Sequence, residues 1–183
     1  MRCVSAAIRR ELSREVFAKM FRILMIGLAA LSLSACQGKA QAPDQSAPSK
    51  TFLAQNASQP GVVVLPSGLQ YKIVRSGPVT GIKPQLTDEV KVHYEGKLID
   101  GKVFDSSYER GQPAAMPLNG LVKGWQEALQ LMRPGDEWIL YVPPELGYGA
   151  EGAGGGEIPG GAALIFKIEL IDVLPGPGRV QQG

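Results

Sequence analysis

Cysteine and histidine are nearly missing from this chain. Of its 183 residues two are cysteine, Cys3 and Cys36, and one is histidine, His93. Two cysteines that both precede the strand-rich part cannot frame a disulfide scaffold there. Together with a lone histidine, they cannot supply the clustered ligands of a zinc site either. A Ser–His–Asp arrangement needs a histidine with partners, and strand parity turns His93 away from the apolar face of its strand. A useful excess of positive charge is also missing. The whole chain has 19 Lys and Arg against 17 Asp and Glu, but from Cys36 onward the count is 13 against 15, a net of −2. No basic stretch interleaved with aromatics occurs, so nucleic acid is not expected as a partner. The apolar run at 23–33 is too short to span a bilayer: as a helix it would cover roughly 16 Å, about half the hydrocarbon thickness.

That run has the flanks of an export signal. Arg9, Arg10, Arg14, Lys19 and Arg22 precede it, and Leu33-Ser34-Ala35-Cys36 closes it in the manner of a bacterial lipobox. Residues 1–35 therefore read as a lipoprotein signal peptide, with Cys36 the thiol lipidated after cleavage. Ordinary secretion with an incidental cysteine is the alternative. Met20, just before the apolar run, is a second candidate start. The expected location is the bacterial envelope, periplasm-facing and lipid-anchored. Gln37 after Cys36 points to the outer rather than the inner membrane, by resemblance to lipoprotein sorting.

Residues 36–66 are mostly Gln, Ala, Ser and Pro and read as a flexible tether, with an edge strand at 61–65. From 67 the pattern becomes strand-rich. Leu69, Tyr71 and Ile73 alternate with Gln70, Lys72 and Val74, and a Gly/Pro loop occupies 76–87. Val90, Val92 and Tyr94 then share one strand face, opposite Lys91, His93 and Glu95. Asp100-Gly101 is a hairpin signal, and the returning strand delivers Phe104 and Asp105. A short strand comes next, around Met116 and Leu118. After it stands one helix, capped at Asn119 or Gly120, with Leu121, Val122, Trp125, Leu129 and Met132 on its apolar stripe. Arg133-Pro134-Gly135 ends it. Strands at 136–142 and 163–174 complete the domain, 67–175, and 176–183 reads as a disordered tail. One amphipathic helix against an antiparallel sheet is an α+β layer solution.

The spacing of Gly147, Gly149 and Gly152 matches a GxGxxG phosphate loop, but the next residues, AGGGEIPGG, cannot open the helix such a loop needs. Asp105 beside Ser106 and Ser107 reads locally as a turn-former. Tyr94, Phe104, Trp125 and Phe166 read locally as core. An aromatic lining with one acid and no activated nucleophile suggests an apolar binding cup rather than a hydrolytic centre.

The segments VHYEGKLIDGKVFDSS, GLVKGWQEALQLMRPGDEW, YVPPELGYGAEG and ALIFKIELIDV, in that order, resemble the FKBP-type peptidyl-prolyl cis-trans isomerases. The resemblance is continuous over about 67–174, and the lead-in SGLQYKIV resembles the envelope members of the family. It implies an FKBP-like antiparallel half-barrel sheet curled around one short helix. It also implies catalysis of Xaa-Pro bond rotation without a cofactor, on proline-containing unfolded or folding polypeptides. The site residues it implies are Trp125 as pocket floor and Tyr94, Phe104 and Phe166 as side walls. Asp105 orients the wall by accepting from Tyr94. Leu121, Ile158 and Met116 add apolar surface, and the Val122 N–H and Tyr148 hydroxyl donate to a substrate carbonyl. Macrolide ligands are implied for the same cup. Some bacterial relatives dimerise through a helical amino-terminal domain, and no helical segment of that size is read between Cys36 and Ser67, so a monomer is expected, held to the membrane only by its lipid. Two departures bear on substrate preference. Ala114 stands where many relatives carry an aromatic, and glycines stand near 153–154 where some carry a rim histidine. Two further classes remain open on the residues alone: a non-catalytic peptide-binding module or chaperone using the same pocket, and a structural envelope lipoprotein.

Overall fold

The computed structural model describes residues 43–177, so the expected signal peptide, Cys36 and most of the expected tail lie outside the described residues. The elements run α1 (Ser46–Asn56), β1 (Val62–Val64), β2 (Gln70–Arg75), β3 (Glu89–Leu98), β4 (Val103–Ser106), β5 (Ala114–Pro117), α2 (Lys123–Leu129), β6 (Glu137–Val142) and β7 (Leu164–Leu174). The sheet is open and antiparallel, in the order β1-β2-β6-β7-β3-β4. β5 shares the outer edge of β3 with β4, as β5 pairs with residues 89–92 and β4 with residues 95–97. Strict alternation on β3, β6 and β7 turns Val90, Val92, Tyr94, Trp138, Leu140, Val142, Leu164, Phe166, Ile168 and Leu170 to one side, all buried. The α2 stripe of Trp125, Ala128 and Leu129, with Met132 just beyond, joins the same core cluster. This is the layer solution expected: an apolar sheet face must be covered, and a single helical stripe covers it.

Three local expectations fail for physical reasons. The helix does not start at Leu121. Leu118–Gly120 form a 3₁₀ turn, and Leu121 and Val122 are extended, at φ/ψ of −87/167 and −60/148. Leu118, fully buried, anchors the turn. The Gln126 amide holds the extended step by donating to the carbonyls of Asn119 and Leu121, at 3.1 and 2.7 Å. The α-helix therefore begins at Lys123, with Val122 as a cap residue that offers no side-chain oxygen. Second, the alternation expected of β2 breaks down: Ile73 is 46% exposed and Gln70 is buried. The Gln70 amide is satisfied by Asn56 and by the Leu53 carbonyl, so burying it leaves no orphan group.

Third, residues 46–56 are not flexible tether but α1. The local sequence gives this helix no amphipathic stripe, so propensity alone would not hold it. Tertiary contacts supply the difference. Gln45 N–H donates to the Gly160 carbonyl at 2.9 Å, Ser49 bonds the backbone at 161 and 163, and Phe52 meets the Tyr141 ring at 6.0 Å. The edge strand expected at 61–65 is present as β1, paired with β2. Gly176, expected in the disordered tail, is fixed by its N–H donating to the buried Asp88 carboxylate at 2.9 Å.

Candidate functional site

The concave face of the sheet and the extended step before α2 enclose a cavity of about 270 Å³. β3 contributes Tyr94, β4 contributes Phe104 and Asp105, β5 contributes Met116, β7 contributes Phe166, and the loop after β6 contributes Tyr148. Trp125, 4% exposed, sits in the first turn of α2 and forms the floor. Its indole meets Tyr94 and Phe166 edge-on, each at 5.2 Å, and Phe166 meets Phe104 edge-on at 5.7 Å. Edge-to-face contacts satisfy the ring quadrupoles and resist sliding, so the four rings hold one another in place. Gly96 makes this possible. It lies across from Phe166 on one side and Asp105 on the other, and a Cβ there would sit 2.7 Å from both Phe104 and Phe166.

One side of the cup is polar and internally paired. The Tyr94 hydroxyl donates to Asp105 Oδ2 at 2.5 Å, Arg110 forms a close ion pair with Asp105, and Arg110 also donates to the Tyr94 hydroxyl at 2.8 Å. The guanidinium lies 5.4 Å from the centre of the Tyr94 ring. Partial burial opposes ionisation of Asp105. The hydrogen bonds from Tyr94 and Arg110, with the Arg110 charge, outweigh it and hold the carboxyl below its usual range. Burial, assisted by the bond to Asp105, pushes the Tyr94 phenol up, so it remains a donor. Asp105 is thus committed to two donors and is not a free base.

Behind this wall Ser107, fully buried, clamps the backbone of Tyr94. It accepts from the Tyr94 N–H at 2.8 Å and donates to the Tyr94 carbonyl at 3.2 Å. His93 points outward as strand parity requires, but it is half-covered: its Nδ1 meets Ser107 at 2.9 Å and its ring stacks on Tyr108 at 4.7 Å.

Two donors face the cavity without a protein acceptor among the described residues. The Val122 N–H is one, because the first amides of a helix have no internal partner, and the Tyr148 hydroxyl is the other. Nine of the ten residues assigned from sequence line this one cavity, and Ile158 does not. Its side chain is 6% exposed within the core cluster, because its backbone pairs with Ala153 and closes the 152–161 loop on itself. Arg110, Gly96 and Ser107 were not legible as site residues. A loop arginine five residues after Asp105, a strand glycine and a turn serine carry no periodic signal. A larger cleft, about 640 Å³ between α1 and residues 144–150, has no aromatic wall and only Lys50 and Glu145 as charged groups.

The fold has counterparts among known proteins. The profile of the FKBP-type peptidyl-prolyl cis-trans isomerase domain matches residues 80–171, and that of the domain amino-terminal to such isomerases matches residues 7–73. The second match crosses the stretch read from composition as leader and tether. The chain is 56% identical over 125 residues to the peptidyl-prolyl cis-trans isomerase Mip of Coxiella burnetii, covering 68% of this chain and 53% of that protein. It is 50% identical over 123 residues to the FKBP-type 22 kDa peptidyl-prolyl cis-trans isomerase of Escherichia coli, covering 67% of this chain and 58% of the other. The chain thus spans little more than half the length of these relatives. Among solved structures, a peptidyl-prolyl cis-trans isomerase from Pseudomonas syringae superposes with a TM-score of 0.66 at 40% identity, covering 71% of this chain and 93% of the other. FkpA from Escherichia coli superposes with a TM-score of 0.68 at 36% identity, covering 92% of this chain and 74% of the other. With the motif order, the sheet topology and these matches in agreement, the chain belongs to the FKBP-type peptidyl-prolyl cis-trans isomerase family.

Proposed function

We propose that this chain accelerates cis-trans rotation of Xaa-Pro bonds in folding polypeptides of the bacterial envelope, without covalent chemistry. Rotation about a peptide bond faces a barrier of ~18–20 kcal/mol because planarity preserves resonance. Uncatalysed Xaa-Pro exchange takes tens to hundreds of seconds, slow enough to limit folding. The twisted imide has lost resonance and carries less charge on its carbonyl oxygen, so an apolar enclosure favours it over either planar isomer. A cup that binds the twisted form better lowers the barrier by that difference, about tenfold in rate for each ~1.4 kcal/mol.

The single observation that carries this reading is the cavity itself: an edge-packed aromatic floor with two unpaired donors at its rim. Trp125, Phe104 and Phe166 hold the pyrrolidine ring, and Leu121 and Met116 flank it. The Val122 N–H and the Tyr148 hydroxyl orient the carbonyl, and Asp105 with Arg110 fixes the Tyr94 wall. A macrolide with a proline-like ring competes for the same cup. In a protease-free assay on a short Xaa-Pro peptide, the purified chain relaxes the cis population faster than buffer. Tyr148→Phe lowers kcat/KM by about three- to thirtyfold, the effect of one removed hydrogen-bond donor. An unchanged rate in that variant removes Tyr148 from the site.

The same proposal places the chain at the membrane by a lipid on Cys36. In support, Leu33-Ser34-Ala35-Cys36 closes a short apolar run, and a curated relative from Legionella longbeachae is named outer membrane protein MIP. Radiolabelled fatty acid is expected in the wild-type protein and not in Cys36→Ser. Label persisting in the variant rules out that anchor.

A further inference from the structure

The loop that carries Tyr148 is built from close backbone contacts. The Gly149 N–H donates to the Pro144 carbonyl at 2.8 Å, and the Gly161 N–H donates to the Gly149 carbonyl at 2.9 Å. Gly160 lies so close to Ala150 that a Cβ would overlap the Ala150 oxygen. The Gly149–Ala150 strip therefore rests on the Gly160–Gly161 strip without a side chain between them. On the far side, the Gly160–Gly161 strip rests on α1. A Cβ on Gly161 would overlap Ser46 Oγ. Ser49, 1% exposed, completes the contact: its hydroxyl donates to the Gly161 carbonyl at 2.8 Å and accepts from the Ala163 N–H at 2.7 Å. Elsewhere α1 stands off from residues 144–150 across the larger cleft, which leaves Gly160–Ala163 as the route of contact.

We propose that Ser49 is a positioning residue for the substrate pocket, acting through Gly161 and Gly149 on Tyr148. This rests on the isomerase reading and extends the functional unit to a helix that precedes the strand-rich domain. Tyr148, 40% exposed, has no hydrogen bond of its own to another described side chain, so its backbone sets where the hydroxyl sits. A buried serine that donates and accepts at once satisfies two backbone groups that would otherwise be orphaned, and its loss frees both to seek water. The strip then relaxes, and the hydroxyl no longer meets the substrate carbonyl at a fixed place. Binding suffers while the apolar floor that favours the twisted imide is untouched.

The test is a double-mutant cycle on the full chain with one Xaa-Pro peptide. Ser49→Ala is expected to raise KM by about three- to tenfold with kcat within about twofold, and Ser49→Thr, which keeps the hydroxyl, to restore it. Tyr148→Phe is expected to cost less in the Ser49→Ala background than in the wild type, because the two act on one contact. If the two substitutions multiply independently, or if KM is unchanged, Ser49 merely supports the fold and the assignment is overturned. Should the alanine variant fail to fold, Ser49→Cys replaces it in the cycle: its thiol is a weaker donor and acceptor than the hydroxyl, so a smaller rise in KM is expected, and an unchanged KM or independent effects overturn the assignment. A wild-type chain no faster than buffer overturns the isomerase reading itself; an active wild type with independent effects overturns only the role of Ser49.

Discussion

Gly96→Ala is expected to lower kcat/KM by about ten- to a hundredfold, equivalent to about 1.4–2.8 kcal/mol of transition-state stabilisation. A single methyl group has this effect because of where it lands. The new Cβ would lie 2.7 Å from two atoms of the Phe104 ring and one of Phe166, closer than packed carbons can approach. Neither ring is a free end that swings aside. Phe166 is held edge-on against Trp125 at 5.2 Å, and Phe104 against Phe166, so displacement passes to the pocket floor. Two terms oppose each other in the stability of the variant. Alanine is favoured over glycine in a strand by about 0.5–1 kcal/mol, whereas overpacking a filled core costs about 1–3 kcal/mol. The balance is a modest loss, seen as a lower midpoint in urea. Activity is the sharper readout. Gly101→Ala separates the two effects: a Cβ at Gly101 meets nothing within 4 Å, but its φ of +90° suits only glycine. That variant loses stability and keeps its specific activity. Wild-type turnover in Gly96→Ala would show that the spacing of the rings is not what the pocket depends on.

Asp105→Ala is expected to reduce kcat/KM by about tenfold or more, by removing the acceptor that fixes Tyr94 and the counter-charge of Arg110. The guanidinium would be left with the Tyr94 hydroxyl at 2.8 Å and no carboxylate beside the apolar cup. Its uncompensated charge disfavours an enclosure whose effect depends on being apolar. The wild-type pH profile carries a matching signature. The Asp105 carboxyl is held below its ordinary value of 3.8, so its contribution is complete above that value and fades as pH falls through the lowered one. Activity is therefore expected to stay level from neutral pH down to about the usual carboxylate range and to decline only below it. Asp105→Ala lacks that acid limb. The Asp105 side chain is 40% exposed, so solvent screens the pair and its effect is read in activity rather than in global stability. An acid limb unchanged in the variant would assign it to another group.

Both substitutions act on features of unequal visibility in the sequence. The alternation of Val90, Val92 and Tyr94, the partner alternation on β6 and β7, and the α2 stripe all arise from periods of two and 3.6, which a linear sequence records directly. The bond from Tyr94 to Asp105 was expected only through the family resemblance: the Asp-Gly turn signal leaves the register open, and a shift between Gly96 and Lys97 displaces the two strands. Arg110 was not, since it reaches back from an irregular loop. Gly96 was not either: its necessity comes from Phe166, on a strand 70 residues away, whose register with β3 no local pattern reports.

The amino-acid order alone determined the apolar sheet face, the hairpin and the single helix stripe, because each is a short-range regularity, and the order of its motifs carried the resemblance to the family. Tertiary structure alone decided that residues 46–56 are helical. It also decided that Ser49 lies under the Tyr148 loop, that Val122 is an extended cap rather than a helical residue, and that Ile158 is buried outside the lining of the cavity. The physical reason is range. The hydrogen bonds between Ser49 and residues 161 and 163 join positions more than 110 apart. A polar helix with no stripe of its own takes its stability from such contacts, which leave no periodic mark on either segment.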